Sequence, residues 1–414
     1  MDDKSNHFDV IVVGGGASGM MTAGISAERG LRVLLLEKNS KLGEKLKITG
    51  GGRCNITNDE DDLRTFLSVY KNAEKFLYSA FSQFDKNDTF EFFEKLGLPV
   101  VVQARKRCFP KTEKALDVFK VLEKFITKHK VVVKTNSPVT KLVHRQGVVA
   151  GVQTSEGVYT AHSYVIATGG VSHPETGSTG DGFNWVRKLG HTIQKPNPNI
   201  VPLRVKEDWV KNLSGVSLSF MKIYFYLEGE RKFDRLGKIL FTHFGISGPL
   251  ILNSAYEVLQ LLEKGQVSCR IDSYPDTDAG SLEKKILDVF EKHKNKLLKN
   301  IIVDIVPEGL GETVLRATGV SGETKIHSLS REERKKIVRF LKAMPFTIEG
   351  SLGYEKAVVS DGGVILTEVD TRDFRSKLFS NLFFTGDMLN INRPSGGYSL
   401  QLCWTTGYVV GKSV

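Results

Sequence analysis

The first apolar run, Phe8–Val13, has the length of a strand and breaks on Gly14. Residues 18–29 (SGMMTAGISAER) read as a helix that Gly30 stops. Arg32–Leu36 is a second apolar run, ending at Glu37. Strand, glycine turn, helix and strand in that order open a parallel α/β unit. Further on, Phe66, Val69, Tyr70, Ala73, Phe76 and Leu77 recur at helical spacing, so residues 59–98 read as helical. Leu116, Phe119, Leu122, Phe125 and Ile126 place an amphipathic helix over 115–130, with all five on one face. Residues 131–168 alternate like strands, with turns at Gly147 and Glu156-Gly157, which predicts a small sheet layered on the parallel one. Three prolines in 196–202 (PNPNIVP) mark a crossing between domains. Residues 203–275 read mostly as strands and 281–343 as helices, clearest at Leu282–Phe290 and Glu332–Leu341. The expected organisation is one α/β domain in two parts, 1–195 and 353–414. An insertion at 196–352 interrupts it, β-rich over 196–275 and helical over 280–345.

The glycines after the first strand give that domain its chemistry. Gly14, Gly16 and Gly19 fit G-x-G-x-x-G. The first allows the tight turn, the second lets backbone approach a pyrophosphate, and the third lets helix pack on strand. Ala17 and Ser18 lie in the first turn, where free N–H groups and the positive dipole end face an anion. Glu37 lies 18 residues past Gly19, where an acid accepts hydrogen bonds from a ribose and disfavours a 2′-phosphate. The dinucleotide is therefore of FAD or NAD type, not NADP. The far end separates these two. LFFTGD (382–387) is a strand ending in Gly386-Asp387, and a helix begins near Gly397. In flavoproteins with this architecture such a carboxylate meets the ribityl chain of FAD. Tyr164–Gly170 (YVIATGG) is a third strand running into Thr168-Gly169 beside the cofactor. The fold class expected is α/β, a Rossmann-like FAD-binding domain of the two-dinucleotide-binding-domain type, with a β-barrel-like plus helical insertion.

Composition changes the picture little. The chain has 414 residues, 40% of them hydrophobic, with a net charge of +11. Residues 1–7 (MDDKSNH) are polar, and no apolar run approaches the ~20 residues that span a bilayer. A cytoplasmic enzyme is expected. Cysteines at 54, 108, 269 and 403 form no C-x-x-C, and Cys/His spacings match no metal site. Four free thiols and no metal are expected. Basic runs such as REERKK (331–336) alternate with acids, as solvated helix faces do, so nucleic acid is not the expected partner.

Three further stretches carry a family resemblance: KLKITGGGRCNITN (45–58), ILFTHFGISGPL (239–250) and GGYSLQ (396–401). With the opening fingerprint, they resemble the bacterial HI0933-like family, also labelled BaiN/RdsA, of NAD(P)/FAD-dependent flavoprotein oxidoreductases, over about 8–411. The resemblance implies FAD and a three-part architecture, without a settled substrate. The expected cofactor contacts extend to Lys38, Lys45, Thr49, Gly51, Gly52, Arg53, Cys54, Asn55, Val139, Gly396, Gly397, Tyr398 and Ser399. The glycines of 50–52 let backbone run flat against a planar ligand, and Arg53 is a counter-charge for pyrophosphate or reduced flavin. Thr49 and Asn55 suit the flavin's polar edge. Cys54 is a candidate for redox chemistry or, more simply, a small packing residue.

His243 in THFGISGP (242–249) is a candidate general base or anion ligand, with a helix expected from Ser247. The alternative is a structural turn. His173, after the Ala-Thr-Gly-Gly strand, is a weaker candidate. No second strand–GxGxxG–helix unit exists for a nicotinamide cofactor, so NAD(P)H, if it is the transient donor, binds without one. The first functional reading is FAD-dependent oxidation or reduction of an unidentified small molecule entering beside the insertion. The alternatives are an FAD-dependent nucleic-acid (tRNA)-modifying protein and a flavin-binding regulator.

Overall fold

The computed structural model describes residues 7–414 and divides into two compact units. One comprises the chain through Pro198 together with Val358–Val414, the other Asn199–Ala357.

The first unit is built on a seven-stranded sheet. Val132–Lys134, Val33–Leu36, His7–Val13, Gly157–Ile166 and Leu382–Phe384 lie side by side and parallel. Their registers align one row of ends: Lys134 pairs Leu36, Leu36 pairs Val13, Val13 pairs Ile166, and Ile166 pairs Phe384. Every loop that follows these strands therefore starts from one edge, the edge where open α/β sheets bind ligands. Both faces of the central strands are covered. That is why Val33–Leu36 is apolar at every position and shows no alternation.

Helix Ala17–Glu28 is buried along ten successive residues, Ser18 to Ala27. It lies against the last helix, Tyr398–Ser413, and against Ala115–Lys128. Small residues allow the approach: a Cβ on Gly407 would stand 2.7 Å from the Ser18 carbonyl oxygen, and one on Gly411 2.8 Å from Ile25.

The structure adjusts several sequence expectations. The 59–98 region is broken into Leu63–Ser68, Glu74–Phe81 and Lys86–Lys95. Asp62 and Asp85 each cap a new start by accepting backbone N–H bonds. The helix at Ala115–Lys128 forms as the spacing predicts, but Leu116 points outward and is 45% exposed, while Ala115 and Val118 join the buried face. The 131–168 strands are not a separate layer. Val148–Thr154 pairs antiparallel with the start of Gly157–Ile166, whose later residues pair with the first strand. One strand serves both ladders. A short sheet of Thr57–Asn58, Arg107–Pro110 and Val100–Gln103 completes the unit, together with the pair Ile193–Asn199 and Val359–Val364.

The second unit is a closed six-stranded antiparallel barrel, ordered Leu203–Val205, Gly245–Ser247, Glu230–Thr242, Ser217–Leu227, Val267–Asp272 and Met344–Ser351. Ile223, Phe225, Ile239, Phe241, Ile271 and Phe346 fill its core. Helices Pro249–Leu262, Ala279–Lys292, Gly311–Thr318 and Arg331–Lys342 belong to the same unit. The first begins at Pro249 with Gly248 as its cap, not at Ser247. Ser247 still pairs with Leu240 in the barrel, so the helix cannot start earlier.

Candidate functional site

Gly14 leaves the first strand at φ +111, and a Cβ there would lie 2.5 Å from the Ala167 carbonyl oxygen. The turn therefore needs glycine both for its dihedral and for the neighbouring strand. A Cβ at Gly19 would lie 1.9 Å from the Gly14 oxygen, while one at Gly16 would meet nothing within 4 Å. The first helix turn is thus packed on one side and open on the other. Gly16 caps it without a side-chain acceptor, so the N–H groups of Ala17 and Ser18 are left for a ligand.

Glu37 is held at the end of its strand. Its Oε2 accepts the Gly15 N–H at 2.8 Å and its Oε1 the Asn39 N–H at 2.8 Å. A carboxylate offers about four acceptor positions, so room remains for two ribose hydroxyls. Lys38 is engaged elsewhere: its Nζ pairs with Asp181 at 2.7 Å and donates to Thr179. Val139 is a buried residue of the loop following the 132–134 strand.

The C-terminal carboxylate meets the N-terminal fingerprint. Thr385 donates to Ser18 Oγ at 3.1 Å, and Gly386 presses on the same serine, so Asp387 leaves its strand beside the first helix turn. Asp387 forms an ion pair with Arg393, a residue only 1% exposed. Arg393 also donates to Ser399 Oγ at 3.1 Å and to the Ile391 carbonyl. Sequence reasoning missed Arg393. The available signal was an arginine six residues past Gly-Asp in a segment otherwise apolar or glycine-rich.

Lys45 reaches the same place from another element, donating to Ser172 Oγ at 3.1 Å. Burial lowers its pKa, and Asp387, Cys403 and Glu175 pull against that effect. Thr168 donates to Met388 Sδ at 3.1 Å and is touched by Gly182, while Gly169 turns the chain at φ +73. His173 is paired locally with Glu175 at 2.8 Å.

Gly50, Gly51 and Gly52 have φ of 58, 67 and 86, and a Cβ on either of the last two would meet nothing within 4 Å. This loop is an open backbone surface. Thr49 bonds back to the Leu46 carbonyl, and Asn55 accepts from the Cys108 N–H at 3.1 Å. Arg53 lies over Phe109, 4.2 Å from its centroid, and pairs with Glu113 at 2.6 Å. Cys54 is fully buried at φ 61, and burial pushes its thiol up to about 12, so it stays protonated. Cys403, beside Asp387, is likewise pushed up to about 12 by burial. Gly397 caps the last helix without a side-chain acceptor, with Thr57 against its backbone. Tyr398 lies edge-on to Phe66 and Tyr70, and Asn58 donates to the Gly396 carbonyl at 3.1 Å.

His243 lies apart from this constellation in sequence and in unit. It is exposed at the turn between Glu230–Thr242 and Gly245–Ser247, with its ring 5.0 Å from that of Phe244. Among the described residues no cluster of His, Cys, Asp or Glu can hold a metal, and no helix is long and apolar enough to cross a membrane. All four cysteines are free thiols.

Two uncapped helix N-termini, an open glycine surface and carboxylates at Glu37 and Asp387 fit an extended dinucleotide of FAD type. Comparison with known proteins agrees. The family description "HI0933-like protein Rossmann domain" matches residues 8–413. The 3-dehydro-bile acid delta(4,6)-reductase of Clostridium scindens is 29% identical over 97% of this chain and 98% of its own. The ribosomal RNA dihydrouridine synthase of Haemophilus influenzae is 28% identical over 99% of both chains. The Escherichia coli enzyme of the same name is 25% identical over 99% of this chain and 98% of its own. Among solved structures, 3-ketosteroid-delta4-(5alpha)-dehydrogenase from Rhodococcus jostii superposes with TM-score 0.54 at 16% identity, covering 98% of this chain and 96% of that one. That likeness is one of fold: a Rossmann-type FAD-binding architecture.

Proposed function

The chain belongs to the HI0933-like family, and from that membership we propose that it is an FAD-dependent reductase of a carbon–carbon double bond conjugated to a carbonyl. One observation carries the reading. A single dinucleotide cradle, with no second G-x-G-x-x-G, stands in a chain whose full-length relatives have names that share one bond type. A 4,6-unsaturated 3-oxo steroid and the uracil ring both present C=C beside C=O, and saturation of either adds hydride and proton across it.

A bound FAD, once reduced by a nicotinamide or another two-electron donor, would supply the hydride. The chain's residues do the rest. Glu37 takes the ribose hydroxyls, and Gly14, Gly16, Ala17, Ser18 and Gly19 receive the pyrophosphate at the helix N-terminus. Asp387, oriented by Arg393 and Ser399, accepts from the ribityl hydroxyls. The backbone of Thr49–Asn55 and Gly396–Tyr398 borders the ring. Cys54, a protonated buried thiol, packs that loop. Lys38 is assigned to the Asp181 bridge and orients the 37–39 turn without touching cofactor. His243 is assigned to substrate contact only.

A second reading of the substrate follows from the charge. A balance of +11 suits a polyanion better than a steroid with a single carboxylate, which favours uridine within RNA over a free enone. The test is anaerobic. FAD-loaded protein is mixed with NADH, with NADPH, or reduced by light, and then offered either a cyclic enone or an rRNA transcript. Flavin reoxidation with a product heavier by H2 supports the reductase reading, and the substrate that does it selects between the two. Reoxidation by oxygen alone, with neither product, sinks both.

A further inference from the structure

The hairpin made by Val100–Gln103 and Arg107–Pro110, with its exit through Lys114, is unlike the rest of the surface. Residues 103–114 (QARKRCFPKTEK) hold five cations, Arg105, Lys106, Arg107, Lys111 and Lys114, and one acid, Glu113. Here the acids are already used: Glu113 is taken by Arg53 and Gln103, and Glu60 by Lys106 at 2.9 Å. Arg105 and Arg107 have no ion pair among the described residues. Arg107 is only partly exposed, and burial lowers its pKa, followed by repulsion from Arg105. Two neighbouring guanidinium groups, one half out of water, are costly without an anion.

The hairpin also has a fixed address. Arg107 pairs in register with Asn58, and Asn58 donates to the carbonyls of both Arg105 and Gly396. Gln103 accepts from Arg53, and the Cys108 N–H is held by Asn55. The unpaired cations are thereby tied to the Gly50–Asn55 loop and to the start of the last helix, the two segments that border the ring. The backbone is strained there: Arg105, Lys106 and Glu113 hold φ of 63, 56 and 52.

We propose that Arg105 and Arg107 form a phosphate clamp that seats an RNA strand with a base facing the ring site. The clamp rests on the reading of uridine in RNA as substrate. A phosphodiester supplies the missing acceptors to a guanidinium pair, and arginine forks match it bidentately.

The test uses the FAD-loaded full chain and a fluorescently labelled, uridine-containing RNA hairpin, with anisotropy read at several salt concentrations. Arg105→Gln/Arg107→Gln is expected to weaken binding by about 10- to 100-fold and to reduce the slope of log affinity against log salt by about two, one per lost contact. Arg105→Lys/Arg107→Lys keeps most of the slope. Arg331→Gln/Lys336→Gln, which removes equal charge from the other unit, leaves binding unchanged. FAD content and thermal unfolding report the fold of each variant. Parent-like RNA binding by the double Gln variant overturns the clamp and leaves the RNA reading standing. Equal losses from the Arg331/Lys336 pair overturn it in favour of net charge. Loss of FAD from the double Gln variant overturns it in favour of a cofactor contact. A parent that binds no RNA at low salt removes both clamp and RNA substrate, while the free-enone experiment still judges the reductase reading.

Discussion

At the scale of single residues, the site is governed by how few acceptors each charge has. Glu37 already spends two lone pairs on Gly15 and Asn39. Glu37→Ala therefore loses a ribose ligand and loosens the turn as well. We expect FAD retention to weaken by about 1.5–3 kcal/mol, the scale of hydrogen bonds to a charged group, read by equilibrium dialysis. Unchanged FAD affinity would show that the ribose lies elsewhere. Asp387→Asn has a different signature. It takes from Arg393, 1% exposed, the carboxylate that pairs with it directly, while Asp361 also acts on that guanidinium. Stripping one partner from a buried pair costs about 3–5 kcal/mol, so even the FAD-free protein should melt well below the parent. An Asn variant with the parent's melting temperature would mean that Arg393 is neutralised by something else. These residues differ in how visible they are to a reader of sequence. Glu37 stands 18 residues past the glycine fingerprint, and Asp387 directly follows Gly386. Arg393 and Arg107 stand in no motif, and only three-dimensional neighbours reveal that one is paired and the other is not. Lys38 shows the converse case, since adjacency to Glu37 in sequence says nothing about its bridge to Asp181, 143 positions on.

At the scale of elements, the helix pair Ala17–Glu28 and Tyr398–Ser413 positions both N-termini. Gly407→Ala puts a methyl group 2.7 Å from the Ser18 carbonyl, and backbone there cannot yield cheaply. Overpacking of this kind costs about 1–3 kcal/mol. Because Ser18 belongs to the first turn, FAD retention should fall with stability. A variant that loses stability and keeps FAD would uncouple the two.

A second element-level device is the tie between the 189–192 turn, just before Ile193–Asn199, and the 366–379 segment. Buried His191 stands 2.9 Å from Glu368 through Nδ1 and 2.8 Å from Ser376 through Nε2. Burial lowers the His191 pKa more than Glu368 raises it. The unfolded chain therefore takes up a proton first as pH falls below the ordinary histidine value near 6.5. Stability is full above that point and lost below it. Glu368, also lowered on balance, adds a further loss below about 4.3, the ordinary glutamate value. His191→Gln should flatten the melting-temperature profile between about pH 7 and 5; an unaltered profile would place the titration elsewhere. The sequence foretold element types well where one periodicity ran uninterrupted, as at 115–128. It failed where an aspartate cap restarted a helix at Asp85, because capping competes with periodicity over single residues. Strand sharing at Gly157–Ile166 left no trace in the pattern, since both ladders demand the same alternation.

At the scale of the whole molecule, the chain closes the flavin unit only after making another. The barrel strands and their helices, Asn199–Ala357, carry a hydrophobic core of their own, from Val201 to Ala357. His243 belongs there, whereas Glu37, Asp387 and the glycine loop belong to the first unit. His243→Ala should keep the parent's FAD content and photoreduction. If the imidazole transfers a proton, turnover of the true substrate should fall by about 10²-fold or more. Loss of FAD from that variant would move the cofactor role to the second unit.

The row of strand ends Lys134, Leu36, Val13, Ile166 and Phe384 has a consequence for how the protein is made. Four of these strands leave the ribosome early, and the fifth, Leu382–Phe384, emerges only after the whole second unit has been made. Until it does, Ile166 has an open edge, Ser18 lacks Thr385, and no carboxylate stands at 387. The nascent first unit thus waits, incomplete, while the second is translated and has time to fold. Flavin capture therefore waits for Leu382–Phe384 and the carboxylate at 387, both made after the whole second unit. A released chain truncated after residue 380 should protect its barrel from protease and hold no FAD. Extension past the final helix should restore yellow colour in one step.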